Sequence, residues 1–193
     1  MKIVFATNNL NKLTEIRSIV SNNIEILSLS DINCHEELPE THDTLSENAN
    51  EKARFVYDKY GFNCFADDTG LEVISLNGEP GVYSARYAGP ECDAENNMNK
   101  LINKLDGHED RSAKFRTVIS LIINGTEYSF EGSCSGKIID KKIGAKGFGY
   151  DPIFIPDNFN LTFAQMTLEQ KALISHRALA VQKLLAFFNL YEK

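Results

Sequence analysis

Apolar residues in this chain fall into short runs and helical stripes that alternate from the first residues onward. Lys2 to Ala6 is a short apolar run closed by the polar cluster Thr7-Asn8-Asn9, after which Leu10, Leu13, Ile16, Ile19 and Val20 recur at helical spacing. Ile24 to Leu29 reads as a second strand, so the first thirty residues predict a βαβ unit with a parallel strand pair. Residues 31–43 are acidic and irregular. Thr44 and Glu47 then have the spacing of a capping box, which predicts a helix to about Tyr60 with Asn48 and Lys52 on one face.

Phe62 to Ala66 has the composition of a buried strand, and Leu71 to Leu76 alternates like a half-exposed one. Between them lie Asp67, Asp68, Thr69 and Gly70, so the pattern puts two adjacent acids at a strand end followed by a turn. Glu91 to Leu105 carries Met98, Leu101, Ile102 and Leu105 at helical spacing. Phe115 to Ile123 and Thr126 to Ser133 flank Asn124-Gly125, a hairpin signal because a two-residue type I′ turn needs positive φ at both positions. Residues 144–152 form a glycine-rich loop before a short strand at Ile153-Phe154-Ile155. Thr167 and Gln170 cap one helical stretch carrying Leu173, Ile174, Ala178, Val181, Leu184, Leu185 and Phe188. A parallel unit joined to an antiparallel hairpin, with helices between, gives an α/β class with a mixed sheet.

Composition narrows the partners. With 193 residues, 42% hydrophobic and 24% charged, the chain suits one ordinary folded domain, 1–193. Its net charge of −7 disfavours nucleic acid and anionic membrane surfaces as partners, and leaves room for a local basic pocket that takes a small anion. Cys34, Cys64, Cys92 and Cys134 show no metal-site spacing, and free buried thiols are expected. No secretory leader pattern or long apolar run is read, so a cytoplasmic location is expected.

Four pieces can carry chemistry, each beside a plainer reading. The Asp67-Asp68 pair can hold a metal-bound polyphosphate or can be solvated turn and cap residues. Alternation along a strand means the two acids do not serve one ion equally. The loop Thr7, Asn8, Asn9, Leu10, Asn11, Lys12 precedes a helix N-terminus, where free N–H groups favour an anion; an Asn cap with a solvated Lys is the plainer reading. It lacks the Walker pattern. In the glycine-rich loop, Phe148 can stack on a base and Asp151 can accept from it, or the loop is a structural turn. Lys171, His176 and Arg177 can donate to phosphate or to a carbonyl edge, or belong to a solvated face with a structural histidine.

The order of these pieces carries more than any one of them. Ala6 to Lys12, Glu47-Asn48-Ala49 with Lys52-Ala53, Ala66 to Leu71, Pro80 to Gly89, Gly147 to Phe154 and Ser175-His176-Arg177 together resemble the Ham1-like, or inosine triphosphate pyrophosphatase, family. The resemblance implies an elongated mixed β-sheet flanked by helices, with two lobes and an active cleft between them, in a homodimer. It implies Mg²⁺-dependent hydrolysis of inosine, deoxyinosine and xanthosine triphosphates between the α and β phosphates. By similarity Asp68 is general base and metal ligand, and Glu40 a second acidic metal contact. Thr7, Asn8, Asn9, Leu10, Asn11, Lys12 and Lys52 bind the triphosphate, while Thr69, Phe148, Gly149, Tyr150, Asp151, Lys171, His176 and Arg177 bind the nucleotide. The chain departs from the family pattern at Asn8, where many members have Gly, and at Thr69, where many have Ser. A Maf-like pyrophosphatase of other base preference and an idle nucleotide sensor are the alternatives.

Overall fold

The computed structural model describes residues 1–20 and 24–191. Among these, seven strands form one sheet in the order β2-β1-β3-β5-β6-β7, with β4 on β3. In chain order the elements are β1 (Lys2–Phe5), α1 (Leu10–Ile19), β2 (Glu25–Leu27), α2 (Leu45–Tyr60), β3 (Cys64–Val73), β4 (Pro80–Gly81), α3 (Ala94–Lys104), β5 (Ser112–Ile123), β6 (Thr126–Ile138), β7 (Phe154–Pro156), α4 (Leu168–Ile174) and α5 (His176–Tyr191). β1 pairs in parallel with β2 and β3, whereas β3–β4 and β6–β7 are antiparallel. The mixed α/β sheet expected from the sequence is present. No described helix is long and apolar enough to cross a membrane.

The chain divides into two compact units. Met1–Asp68, Thr117–Gly132 and Arg177–Lys193 make the first, and Thr69–Arg116 with Ser133–His176 the second. In the first unit, α1 and α5 cover one apolar cluster that includes Phe5 and Phe65, whose rings stack 4.7 Å apart. α2 covers another cluster around Val4, Ala53, Val56 and Ala66. The second unit packs α3 and the loop helices on Leu71, Phe115, Phe154 and Phe163. Full burial of each such side chain contributes roughly 1.5–3 kcal/mol.

Helix α2 shows how the pattern becomes an element. Thr44 accepts from the Glu47 N–H, and Gly61 ends the helix in the left-handed region at φ 72°. Leu45, Asn48, Ala49, Lys52, Ala53 and Val56 form its buried stripe. An amide and an ammonium on an otherwise apolar stripe need partners, and both have them in the site described below.

Four expectations are corrected. The acids at 67 and 68 do not close a strand: β3 runs through them for 10 residues. Gly70 is no turn residue, because a side chain there would meet the Gly81 carbonyl oxygen at 2.6 Å, so its bare Cα lets β4 pair closely. The last helical stretch is two helices, broken at Ser175, whose extended backbone (φ −70°, ψ 150°) ends α4. Cys34, Cys64 and Cys134 are buried free thiols, but Cys92 is exposed. The hairpin stands, with φ 50° at Asn124 and 79° at Gly125, and its strands extend further than the alternation alone suggests.

Gly70→Ala is expected to destabilise the fold by about 1–3 kcal/mol, the usual range for overpacking, because the obstruction is backbone rather than a flexible side chain. Urea unfolding of the two proteins checks this.

Candidate active site

In the first unit, alternation along β3 gives the two acids separate partners. Asp67 accepts from Lys12 Nζ at 2.9 Å and from Arg177 Nε at 3.1 Å, and Arg177 Nη1 also bonds Glu15. Asp67 and Arg177 are each 1% exposed, so this is a buried four-charge chain joining α1, β3 and α5. Burial by itself raises a carboxyl pKa, but Lys12, Arg177 and Lys52 outweigh it and hold Asp67 well below the usual range. Burial lowers the pKa of Lys12, against the pull of Asp67, with Lys52 and Arg177 adding like-charge repulsion. Burial also works against the Arg177 charge, and Asp67 and Glu15 more than compensate.

Asp68 belongs to a second group. Its Oδ1 accepts from Lys52 Nζ at 3.0 Å, and Asn48 Nδ2 approaches its Oδ2 at 3.5 Å. Lys52 bonds Glu40 Oε1 at 2.6 Å. The Asp68 pKa is raised, first by burial and further by Glu40, with Lys52 and Lys12 opposing. For Lys52, burial is overcome by Asp68, Glu40 and Asp67, and the ammonium is held charged. The two acids thus sit on opposite sides of the normal carboxylate value. Such a split is what separates a proton acceptor from a fixed counter-ion.

The donor chemistry suits a hard cation. Asp68 and Glu40 offer carboxylate oxygens around one lysine, and among the described residues no cluster of three or more His, Cys, Asp or Glu forms a cage of its own. One or two carboxylates completed by substrate phosphates is how Mg²⁺ is commonly held.

Around the first loop the structure changes one expectation. Asn9 caps α1, its side chain accepting from the N–H groups of Asn11 and Lys12, so those donors are not open to an anion. Thr7 Oγ1 accepts from the Asn9 N–H, Leu10 is exposed, and Asn8 bonds residues 36 and 38. The Lys12 ammonium lies on Asp67 rather than in solvent.

In the second unit, Asp151 Oδ2 accepts from the Phe148 N–H at 2.9 Å and from Lys171 Nζ at 2.6 Å. The Lys171 ammonium lies 5.1 Å from the Phe148 ring centre and 5.3 Å from that of Phe163. Gly147 has φ 74° and a side chain there would strike the Asp151 carboxylate, which explains the glycine. Gly149, at φ 61°, completes the turn. Tyr150 is buried and donates to the Ser84 carbonyl at 2.9 Å. His176 stacks on Phe115 with ring centres 4.6 Å apart. Thr69 continues β3.

Sequence reasoning missed several supports. Glu15 sits between the buried Leu13 and Ile16 on α1, a carboxylate among core positions that signalled a buried cation. Ser84 Oγ accepts from the Leu71 N–H and donates to the Gly81 carbonyl. Asn97 ties the Ala85 carbonyl and Ala88 N–H of the same segment. A cavity of about 650 Å³ lined by His42, Glu47, Arg54, Ser120 and Tyr128 contains none of the residues chosen from the sequence, so charge pairing and not concavity marks the site.

Comparison with known proteins points one way. The model of the Ham1 family matches residues 3–187. A dITP/XTP pyrophosphatase of Flavobacterium johnsoniae is 57% identical over 185 residues, 96% of each chain. One from Christiangramia forsetii is 54% identical, over 98% of this chain and 100% of its own. The solved structure of the Staphylococcus aureus Ham1 protein superposes with a TM-score of 0.89 at 42% identity, covering 100% of both chains. A HAM1 protein from Coxiella burnetii gives 0.89 at 33% identity over 98% of both.

Asp67→Asn is expected to cost about 3–5 kcal/mol at neutral pH, because it leaves buried cations uncompensated. The Asp67 pKa is depressed on folding, so its contribution is complete above the unfolded carboxyl value of about 3.9 and is lost as pH falls through the lower folded value. Urea midpoints across pH should therefore show the wild type and the variant converging in strong acid.

Proposed function

From the premise that the chain belongs to the Ham1 family, we propose that it hydrolyses inosine-, deoxyinosine- and xanthosine-type purine nucleoside triphosphates to the monophosphate and pyrophosphate, clearing them from the nucleotide pool. The observation that carries the reading is the Asp68–Lys52–Glu40 group: a buried carboxylate of raised proton affinity beside a charged ammonium.

The attacking water must lie in line with the leaving pyrophosphate, and charge spreads over the phosphate oxygens, so positioning and cations dominate the barrier. Lys52 and the loop Thr7 to Lys12 hold the triphosphate, the loop through groups other than the Asn11 and Lys12 N–H donors that Asn9 occupies. Lys12 carries charge to it, and Arg177 stays on Asp67 so that this acid is not left unpaired. Asp68 orients the water and takes its proton, a task that its raised pKa suits better than that of an ordinary aspartate. Asp68 and Glu40 would hold Mg²⁺, which would supply charge neutralisation and lower the pKa of a bound water. In this reading the enzyme is a homodimer, as the family resemblance implies, and works in the cytoplasm.

Base selection rests on donors. Hypoxanthine and xanthine present an acceptor at position 6, where adenine presents a donor. Phe148 stacks on the base, with Thr69, Gly149, Tyr150 and Asp151 around it. Lys171 and His176 donate to the 6-keto edge, as does Arg177 from a guanidinium whose orientation Glu15 and Asp67 hold. Substrates with an adenine base leave these donors unpaired and are discriminated against.

With dITP, XTP, ATP and GTP assayed with and without Mg²⁺, the first two should yield monophosphate and pyrophosphate only when the metal is present. Release of orthophosphate would overturn the bond assignment. Asp68→Asn should keep the melting curve and lower kcat by about 10²–10⁴, the usual range for loss of a general base. Lys171→Ala should narrow the dITP to dATP ratio of kcat/KM, and an unchanged ratio counts against base reading by that residue.

A further inference from the structure

The acidic segment from Ile32 to Asp43 has no strand or long helix of its own, yet it delivers Glu40 to Lys52. At one end Glu36 accepts from Lys59 Nζ at 2.5 Å and from the Tyr60 hydroxyl at 2.7 Å, both at the C-terminal end of α2. At the other, Thr41 donates twice to Glu51, and His42 exchanges bonds with the Asn48 side chain, nearer the N-terminal end of α2. The segment is therefore strapped along α2, with Glu37 to Glu40 suspended between the anchors.

A third tie comes from the phosphate loop. Asn8 Nδ2 donates to the Glu36 carbonyl at 3.4 Å, and its Oδ1 accepts from the Leu38 N–H at 3.4 Å. One planar amide thus grips two backbone groups two residues apart, a geometry that a carboxylate or an alanine at the same place cannot reproduce. Leu38 also packs against the apolar cluster under α2. Only Pro39 separates it from Glu40, and the fixed φ of proline removes one of the few torsions through which Glu40 could drift.

We propose that the Asn8 side chain is a positioning residue that clamps the strap at Glu36 and Leu38 and so holds Glu40 on Lys52, at the acid group taken above to receive the metal. The proposal rests on that reading of Glu40. It also gives Asn8 a task distinct from those of its neighbours: Asn9 caps the helix and Thr7 steadies Asn9.

The test combines amide hydrogen exchange on the metal-free protein with Mg²⁺ activation. In Asn8→Ala, exchange at the Leu38 amide should quicken about three- to tenfold, as expected for loss of a single modest hydrogen bond. The Mg²⁺ concentration for half-maximal activity, read at saturating nucleotide, should rise at least threefold, in the same direction as in Glu40→Gln. Asn8→Asp, which keeps the acceptor for Leu38 and lacks the donor for Glu36, should fall between wild type and Asn8→Ala. Unchanged Leu38 exchange in Asn8→Ala overturns the clamp. Faster exchange with a shifted Mg²⁺ response in Glu40→Gln but not in Asn8→Ala overturns the link to Glu40. If Glu40→Gln itself leaves the Mg²⁺ response unchanged, the metal reading of Glu40 fails by itself, and the exchange rates still decide the clamp.

Discussion

Asp67 is the constraint on which the first unit's chemistry depends. A carboxylate with no solvent access is tolerated only when its charge is matched, and here Lys12 and Arg177 match it from α1 and α5, with Glu15 holding the far side of the guanidinium. The consequence is positional. Three elements that meet on apolar surfaces, where sliding costs little, are indexed to one another by directional ionic hydrogen bonds. Such a chain is weak evidence for net stability and stronger evidence for a fixed arrangement.

Asp68, one residue on, experiences the opposite balance. It has Lys52 and Asn48 for partners, but Glu40 shares the lysine and burial favours the neutral acid. The strand's two-residue period places neighbouring carboxylates in environments that push their proton affinities apart. That division, rather than the mere presence of two acids, makes one a candidate base and leaves the other a fixed charge. Helix α2 supplies both partners of Asp68 because its buried stripe is polar at two positions, and the strap along its surface returns Glu40 to the same lysine.

The second unit solves a different problem, that of presenting a lysine and a ring together. Asp151 fixes Lys171 and the Phe148 N–H with one oxygen, and the glycines at 147 and 149 provide the left-handed backbone that the short turn needs. The ammonium is left over two aromatic faces, which favour its charge.

Much of this was legible in order and spacing. The parallel start, the Asn-Gly hairpin, the Thr44 and Thr167 caps and the polar positions on α2 are local, and each depends on residues within a turn or two of one another. The residue classes of the proposed site were also readable, because chemistry restricts which side chains can serve. Continuity of β3 through Asp67 was not, since Gly70 signals a turn until Gly81 is seen to need the space. The pairing of Arg177 with Asp67 and Glu15, 110 and 162 residues away, was likewise hidden. By itself the sequence determined which groups are available and which segments carry them. Only the tertiary structure decided which charges neutralise which, because burial removes the water that would otherwise serve every ion alike and leaves each one to the partner the fold provides.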